Sequence, residues 1–198
     1  MFRFPRRPVL AVAGVTTALV LAGCSGEEAA PEPGPQASPP AAVAGLQVSA
    51  EFNEADVAFA TEMIPHHQQA VDMAALAVEK SGDEKVKALA LKIRDAQDAE
   101  MAQLSGMLEV WGQQPPEDPG LDHGGHSGMV TDAEMMALES ATGAEFDRKF
   151  VELMTRHHEG AVRVADGEKA NGKNPQAKDL AGKISQDQQA ELAELKSL

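Results

Sequence analysis

One stretch of this chain occurs twice. Asp56, Phe59, Met63, His66, His67, Ala70 and Ala74 recur as Asp147, Phe150, Met154, His157, His158, Ala161 and Ala165, each pair offset by 91 residues. At about 100° of rotation per residue, the seven side chains of each copy fall within an arc of about 100° on a helix. Across the rest of positions 56 to 74 only Val71 matches its partner, Val162, and it borders the same arc. The other positions differ freely and are expected to point outward: Ala58 against Lys149, Glu62 against Leu153, Asp72 against Arg163. The two copies agree on one face, so that face is the one expected to be buried. What they keep there is not merely apolar. It includes a methionine and two histidines per copy.

The repeat extends to a second helix in each half. Asn53 is a good N-cap for a first helix that reaches about Lys80 and stops at Ser81-Gly82. Pro65 lies inside it and is expected to kink it, whereas the second copy has Arg156 there. Asp83 caps a helix to about Val110 whose inward stripe is Val86, Leu89, Ala90, Ile93, Gln97, Glu100 and Leu104. Leu180, Ala181, Ile184, Gln188, Glu191 and Leu195 repeat that stripe in a helix opened by Asn174 and Pro175. Before it, a helix runs from about Ala144 to Lys169 and ends at Asn171-Gly172. Thr131 and Glu134 form a capping box for a short helix to about Ser140. No strand pattern appears. The expectation is an all-α four-helix bundle of two duplicated hairpins over residues 51–198, with repeats at about 53–110 and 144–198. The connection of roughly 30 residues at about 111–143 exceeds an ordinary helix–helix loop and allows a ferritin-like long crossover.

Residues 1–23 read as an export signal: Arg3, Arg6 and Arg7, an apolar run from Val9 to Leu21, then small residues. The run is short for a membrane-spanning helix. It ends in Leu21-Ala22-Gly23-Cys24, which resembles a bacterial lipobox and implies cleavage before Cys24 and lipidation of its sulfur. The protein is then exported, by the general or the twin-arginine route. It is lipid-anchored on the outer face of the cytoplasmic membrane or in the periplasm. Residues 24–50, rich in Pro, Ala and Gly, read as a flexible tether. Loss of the three arginines takes the formal charge from −14 to −17. Such a surface disfavours nucleic acid and anionic lipid.

Cys24 is the only cysteine, so the folded part has neither disulfide nor thiolate ligand. Soft-metal chemistry must then rest on Met and His. Met63, His66, His67, Met154, His157 and His158 are the candidate metal ligands. Glu100, Glu191, Gln97 and Gln188 are candidates to orient imidazole N–H groups or to ligate. Thioether plus imidazole without water favours Cu(I), with Ag(I) as a mimic, whereas imidazole plus carboxylate favours Cu(II), Zn(II) or iron. A di-iron bundle needs Glu-x-x-His on two helices. Here Met63, Ile64, Met154 and Thr155 stand three before the histidines instead. In the crossover, His123, His126 and Met129 lie in a glycine-rich stretch and form a candidate auxiliary metal-capture segment.

The double Met-x-x-His-His pattern, with Phe59, Pro65, Ala70, Gln97 and Glu100 around its first copy and Phe146, Asp147, Phe150, Glu159, Gly160 and Ala161 around its second, resembles the domain-of-unknown-function 305 family over about residues 53–198. That family includes CopM-type exported copper-binding proteins. The resemblance implies a ferritin-like helical bundle outside the cytoplasm and binding of Cu(I) or Ag(I). Three functions follow as expectations: capture of Cu(I) for sequestration or handover, a His/Glu dinuclear metal oxidase, or a metal-free surface interaction module. The protein partner is left unspecified.

Overall fold

The computed structural model describes residues 48–116 and 127–198. Its helices are α1 (Glu54–Lys80), α2 (Glu84–Val110), α3 (Asp132–Ser140), α4 (Gly143–Asn171) and α5 (Pro175–Leu195), with no strand among the described residues. The caps foreseen from the sequence set the boundaries. Asn53 accepts from Ala55 N and Asp56 N while Asp56 accepts from Asn53 N, a reciprocal capping box. Asp83 caps α2, Thr131 and Glu134 box α3, and Asn174 caps α5 behind Pro175. α1 continues as one helix through Pro65.

α1 and α2 form one hairpin and α4 and α5 the other, and the hairpins meet mainly through α1 and α4. The ends of α1 and α4 show that these two run antiparallel. Asp56, at the start of α1, accepts from Lys173 N (3.1 Å) and Asn174 N (2.8 Å), just past the end of α4. Ser81 Oγ, just past the end of α1, donates to Asp147 at the start of α4 (2.5 Å). The conserved Asp of each repeat therefore secures the turn of the other hairpin. Asp56 is fully buried and Asp147 only half-buried.

Val48 is buried, Trp111 Nε1 donates to Ser49 O (3.1 Å), and Phe52 stacks on Trp111 at 5.2 Å between centroids. Asn174 Nδ2 donates to Ser49 O (3.0 Å) and Glu51 O (2.9 Å). Residues 48–50, expected in the tether, thus belong to the folded unit. Leu153, expected outward, is also buried, in a cluster that includes Leu138 of α3. The short helix covers that flank of α4, which the repeat comparison alone does not reveal.

The core is divided. One apolar cluster holds Ala70, Met73 and Ala74 of α1, Val86, Leu89 and Ile93 of α2, Phe146, Phe150 and Met154 of α4, and Leu195 of α5. The other holds Phe59 and Met63, Leu104 and Met107, Ala161 and Ala165, and Leu180 and Ile184, in the same helix order. Between them, all four long helices bury polar side chains.

A carboxyl pair closes one end of the α1–α4 contact. Burial by itself raises Asp56; hydrogen bonds from Asn174, Asn53, Glu168 and Lys173 outweigh it and hold the group below its ordinary range. Glu168 of α4, buried against it, is pushed up to about 8 by burial, then by its hydrogen bond with Asp56 and the charge there. Its position in the first repeat is Ala77. The folded state therefore holds a proton on Glu168 that the unfolded chain releases near 4.5. Native protonation exceeds unfolded protonation in that interval, so this group's contribution falls as pH rises from 4.5 towards 8. Glu168→Gln, neutral at every pH, is expected to match wild type in urea denaturation at about pH 5 and to exceed it at about pH 8.5. A constant difference between the two pH values contradicts this.

Candidate metal centre

Eight polar side chains span the bundle between the two apolar clusters. They are His66 and His67 of α1, Gln97 and Glu100 of α2, His157 and His158 of α4, and Gln188 and Glu191 of α5, all buried. Burying such groups is costly unless they are paired or ligated. The antiparallel α1–α4 contact brings equivalent positions of the two repeats together at its midpoint. His66 and His157 meet there with ring centroids 3.8 Å apart and planes inclined at 42°.

The second histidine of each pair turns the other way, within its own hairpin. His67 Nε2 donates to Glu100 Oε2 at 2.9 Å, and His158 Nε2 donates to Glu191 Oε2 at 2.8 Å. A carboxylate can only accept, so each contact assigns the ring proton to Nε2 and leaves Nδ1 with a lone pair in the neutral ring. His66 is oriented likewise: its Nε2 donates to Ser127 O at 3.0 Å. Each Glu side chain holds an imidazole by its Nε2–H. Lys183 Nζ adds a second contact to Glu100 at 3.3 Å, whereas Lys92, its equivalent, is held by Glu194 at 2.5 Å.

Several polar atoms in the layer have no hydrogen-bond partner among the described residues: Nδ1 of His67, Nδ1 of His158, the amide groups of Gln97 and Gln188 and, apart from a backbone contact with His66, the ring of His157. His157 is held well below its ordinary pKa, first by burial and then by the neighbouring rings of His66, His158 and His67. It is neutral, and a neutral imidazole is the form that ligates a metal. Met63 and Met154 are fully buried, each one turn before its His pair. Met63 belongs to the cluster on one side of the layer and Met154 to the cluster on the other.

This arrangement is a layer rather than a cage. No group of three or more His, Cys, Asp and Glu side chains able to hold a metal ion occurs among the described residues. The reason is geometric. His66 and His157 converge on the α1–α4 midpoint, while His67 and His158 lean towards α2 and α5. Met129 is buried; Cys24, His123 and His126 lie outside the described residues.

Two residues at the layer escape the repeat comparison because the copies disagree there. Gln69 and Gly160 occupy the same repeat position. The Gln69 amide accepts from Val130 N (2.7 Å) and donates to Val130 O (2.8 Å). A Cβ at Gly160 would overlap the Ser127 carbonyl and the Cα of Gly128, whose φ is +84°. The returning crossover lies against both. The sequence signal was the mismatch itself, a buried Gln in one copy and a Gly in the other.

Over residues 56–198 the chain matches the family described as a domain of unknown function, DUF305. The chain belongs to the DUF305 family. A solved DUF305 fragment from Deinococcus radiodurans is 34% identical, with a TM-score of 0.68 over 73% of this chain and 95% of that one. A solved DUF305 protein from Streptomyces coelicolor is 34% identical, with a TM-score of 0.65 over 71% and 88%. CopM solved in its Cu(I)-bound form is 31% identical, with a TM-score of 0.61 over 72% of this chain and 93% of CopM. CopM has also been solved with Cu(II) and with Ag. No curated protein matches this chain. No helix among the described residues is long and apolar enough to cross a membrane.

Glu100→Leu is expected to destabilise the metal-free protein by about 1–3 kcal/mol, because it strands the buried His67 N–H. Glu100→Gln, which keeps an acceptor, costs less. Urea denaturation of the two variants in a chelator checks the order; equal losses contradict the role given to the carboxylate.

Proposed function

We propose that this protein captures Cu(I) outside the cytoplasm, for sequestration or handover, and is held at the membrane by a lipid on Cys24. The observation that supports it most is the buried layer. Imidazole lone pairs without protein partners lie there between two methionines, in a family where CopM has been solved with Cu(I), Cu(II) and Ag.

The residue types fit the ion. The described core contains no thiol, and its thioethers and imidazoles match Cu(I) or Ag(I) better than a hard divalent cation. His67 and His158 would ligate through Nδ1, because Glu100 and Glu191 hold Nε2. His157 offers either nitrogen. Met63 and Met154, on opposite sides of the layer, would serve one half each. Gln97 and Gln188 would hydrogen-bond the ligating rings. His123, His126 and Met129 would act as an auxiliary capture segment. Both layer glutamates are committed to histidines, which leaves no free carboxylate to bridge two metals and argues against an oxidase.

Anaerobic titration of the full chain against a Cu(I) indicator tests the reading. His66→Ala with His157→Ala is expected to weaken Cu(I) by about a hundredfold or more. Undiminished affinity in that double variant ends the claim. Met63→Leu with Met154→Leu is expected to weaken Cu(I) and Ag(I) by about tenfold or more while leaving Zn(II) within about threefold. Equal losses for the three ions would remove the thioethers from the ligand set.

A further inference from the structure

All four imidazoles of the layer are 0% exposed, so an ion reaches them only if something covering them moves. The four long helices are poor candidates, since each carries part of both apolar clusters. Among the described residues, the piece without helix that touches a layer imidazole is the end of the crossover, residues 127–130. It lies where the two repeats meet and is tied to each. On the α4 side, Gly128 rests against the bare backbone of Gly160, and Arg163 Nε donates to Ser127 Oγ at 2.9 Å. On the α1 side, Ser127 O accepts from His66, and the Gln69 amide brackets both backbone groups of Val130.

Gln69 stands at a boundary. Its inner edge holds Val130, and it also lines the open cleft between α1 and α3, with Pro65, Asp72, Asp132 and Met135. The latch thus borders the cleft on its outer side, while Val130 behind it belongs to the first apolar cluster. Opening costs the two amide contacts, the Ser127 contacts and the burial of Met129 and Val130, a local event smaller than unfolding a helix. It would also withdraw Ser127 O from His66, baring a ring nitrogen on the His66–His157 pair.

Resting on the metal-capture reading, we propose that Ser127–Val130 is the door through which the ion enters and leaves the layer. Gln69 is its latch and Gly160 its seat. This gives separate work to the one inward position at which the repeats place a long polar side chain against a glycine. Neither residue is a ligand in the scheme above, so both should act on rates rather than on affinity.

The test uses the full chain as wild type, Gln69→Leu and Gly160→Ala. Alanine favours the helix, so Gly160→Ala keeps α4 while pressing Ser127–Gly128 outward; it stands in if the Gln69 variant fails to fold. In metal-free protein, amide hydrogen exchange at Val130 and diethyl pyrocarbonate modification of His66 and His157 are followed. Both are expected to accelerate by about tenfold or more in the variants. With Cu(I) delivered from a chelator in stopped flow, loading and release accelerate comparably, while affinity stays within about threefold of wild type. Unchanged exchange and modification overturn the door whatever the metal result. Faster exchange with unchanged loading and release also overturns it. Wild-type protein that binds no Cu(I), yet shows accelerated exchange in the variants, overturns the capture reading and with it the door's role in metal entry.

Discussion

Eight buried polar side chains in the middle of a four-helix bundle are the constraint on which everything else turns. Without partners their desolvation would unfold so small a domain. The His67–Glu100 and His158–Glu191 hydrogen bonds supply part of the compensation, and each runs from one helix to the other of the same hairpin. They therefore fix the register within each hairpin. The apolar clusters on either side contribute the burial, and they could tolerate sliding; the polar layer does not. A shift of one turn would set an imidazole against Ala70 or Met63 and leave a glutamate in hydrocarbon.

The two halves are related but not equal, and three of the inequalities fall at contacts that cross between hairpins or onto the crossover. Gln69 and Gly160 divide the work of holding residues 127–130. Ala77 and Glu168 differ because only Glu168 faces the buried Asp56. Lys183 reaches Glu100 whereas Lys92 turns to Glu194. Within a hairpin the copies stay close to identical in role. A single connection crossing a twofold arrangement can take only one path, and the residues along that path are free to diverge from their equivalents.

The fold was largely legible in the sequence, because its determinants are local or periodic. Asn53, Asp83, Thr131 and Asn174 cap the helices they were expected to cap, and both inward stripes are buried throughout. The His–Glu pairing could be read from one stripe facing another at a repeated register. The division of the core was not. Nothing in a periodicity says that His66 and His157 converge while His67 and His158 diverge, since adjacent residues on a helix differ by a rotation whose effect depends on the neighbours. Leu153 was misplaced because α3 is not part of the repeat. Gln69 is invisible to agreement between the copies, because Gly160 stands at its repeat position.

The α1–α4 contact has a consequence for how such a chain assembles. A face that fits its own duplicate is self-complementary, so a lone hairpin would carry an isologous surface of the kind that builds twofold dimers. Covalent linkage through the crossover makes the encounter intramolecular, and pairing no longer depends on protein concentration. The Gln69/Gly160 and Ala77/Glu168 exchanges then remove the way back. Two copies of the first hairpin would set glutamine at both seats of the returning strand and alanine opposite both Asp56 side chains. Once the halves had diverged at those positions, each had become the other's only fitting partner.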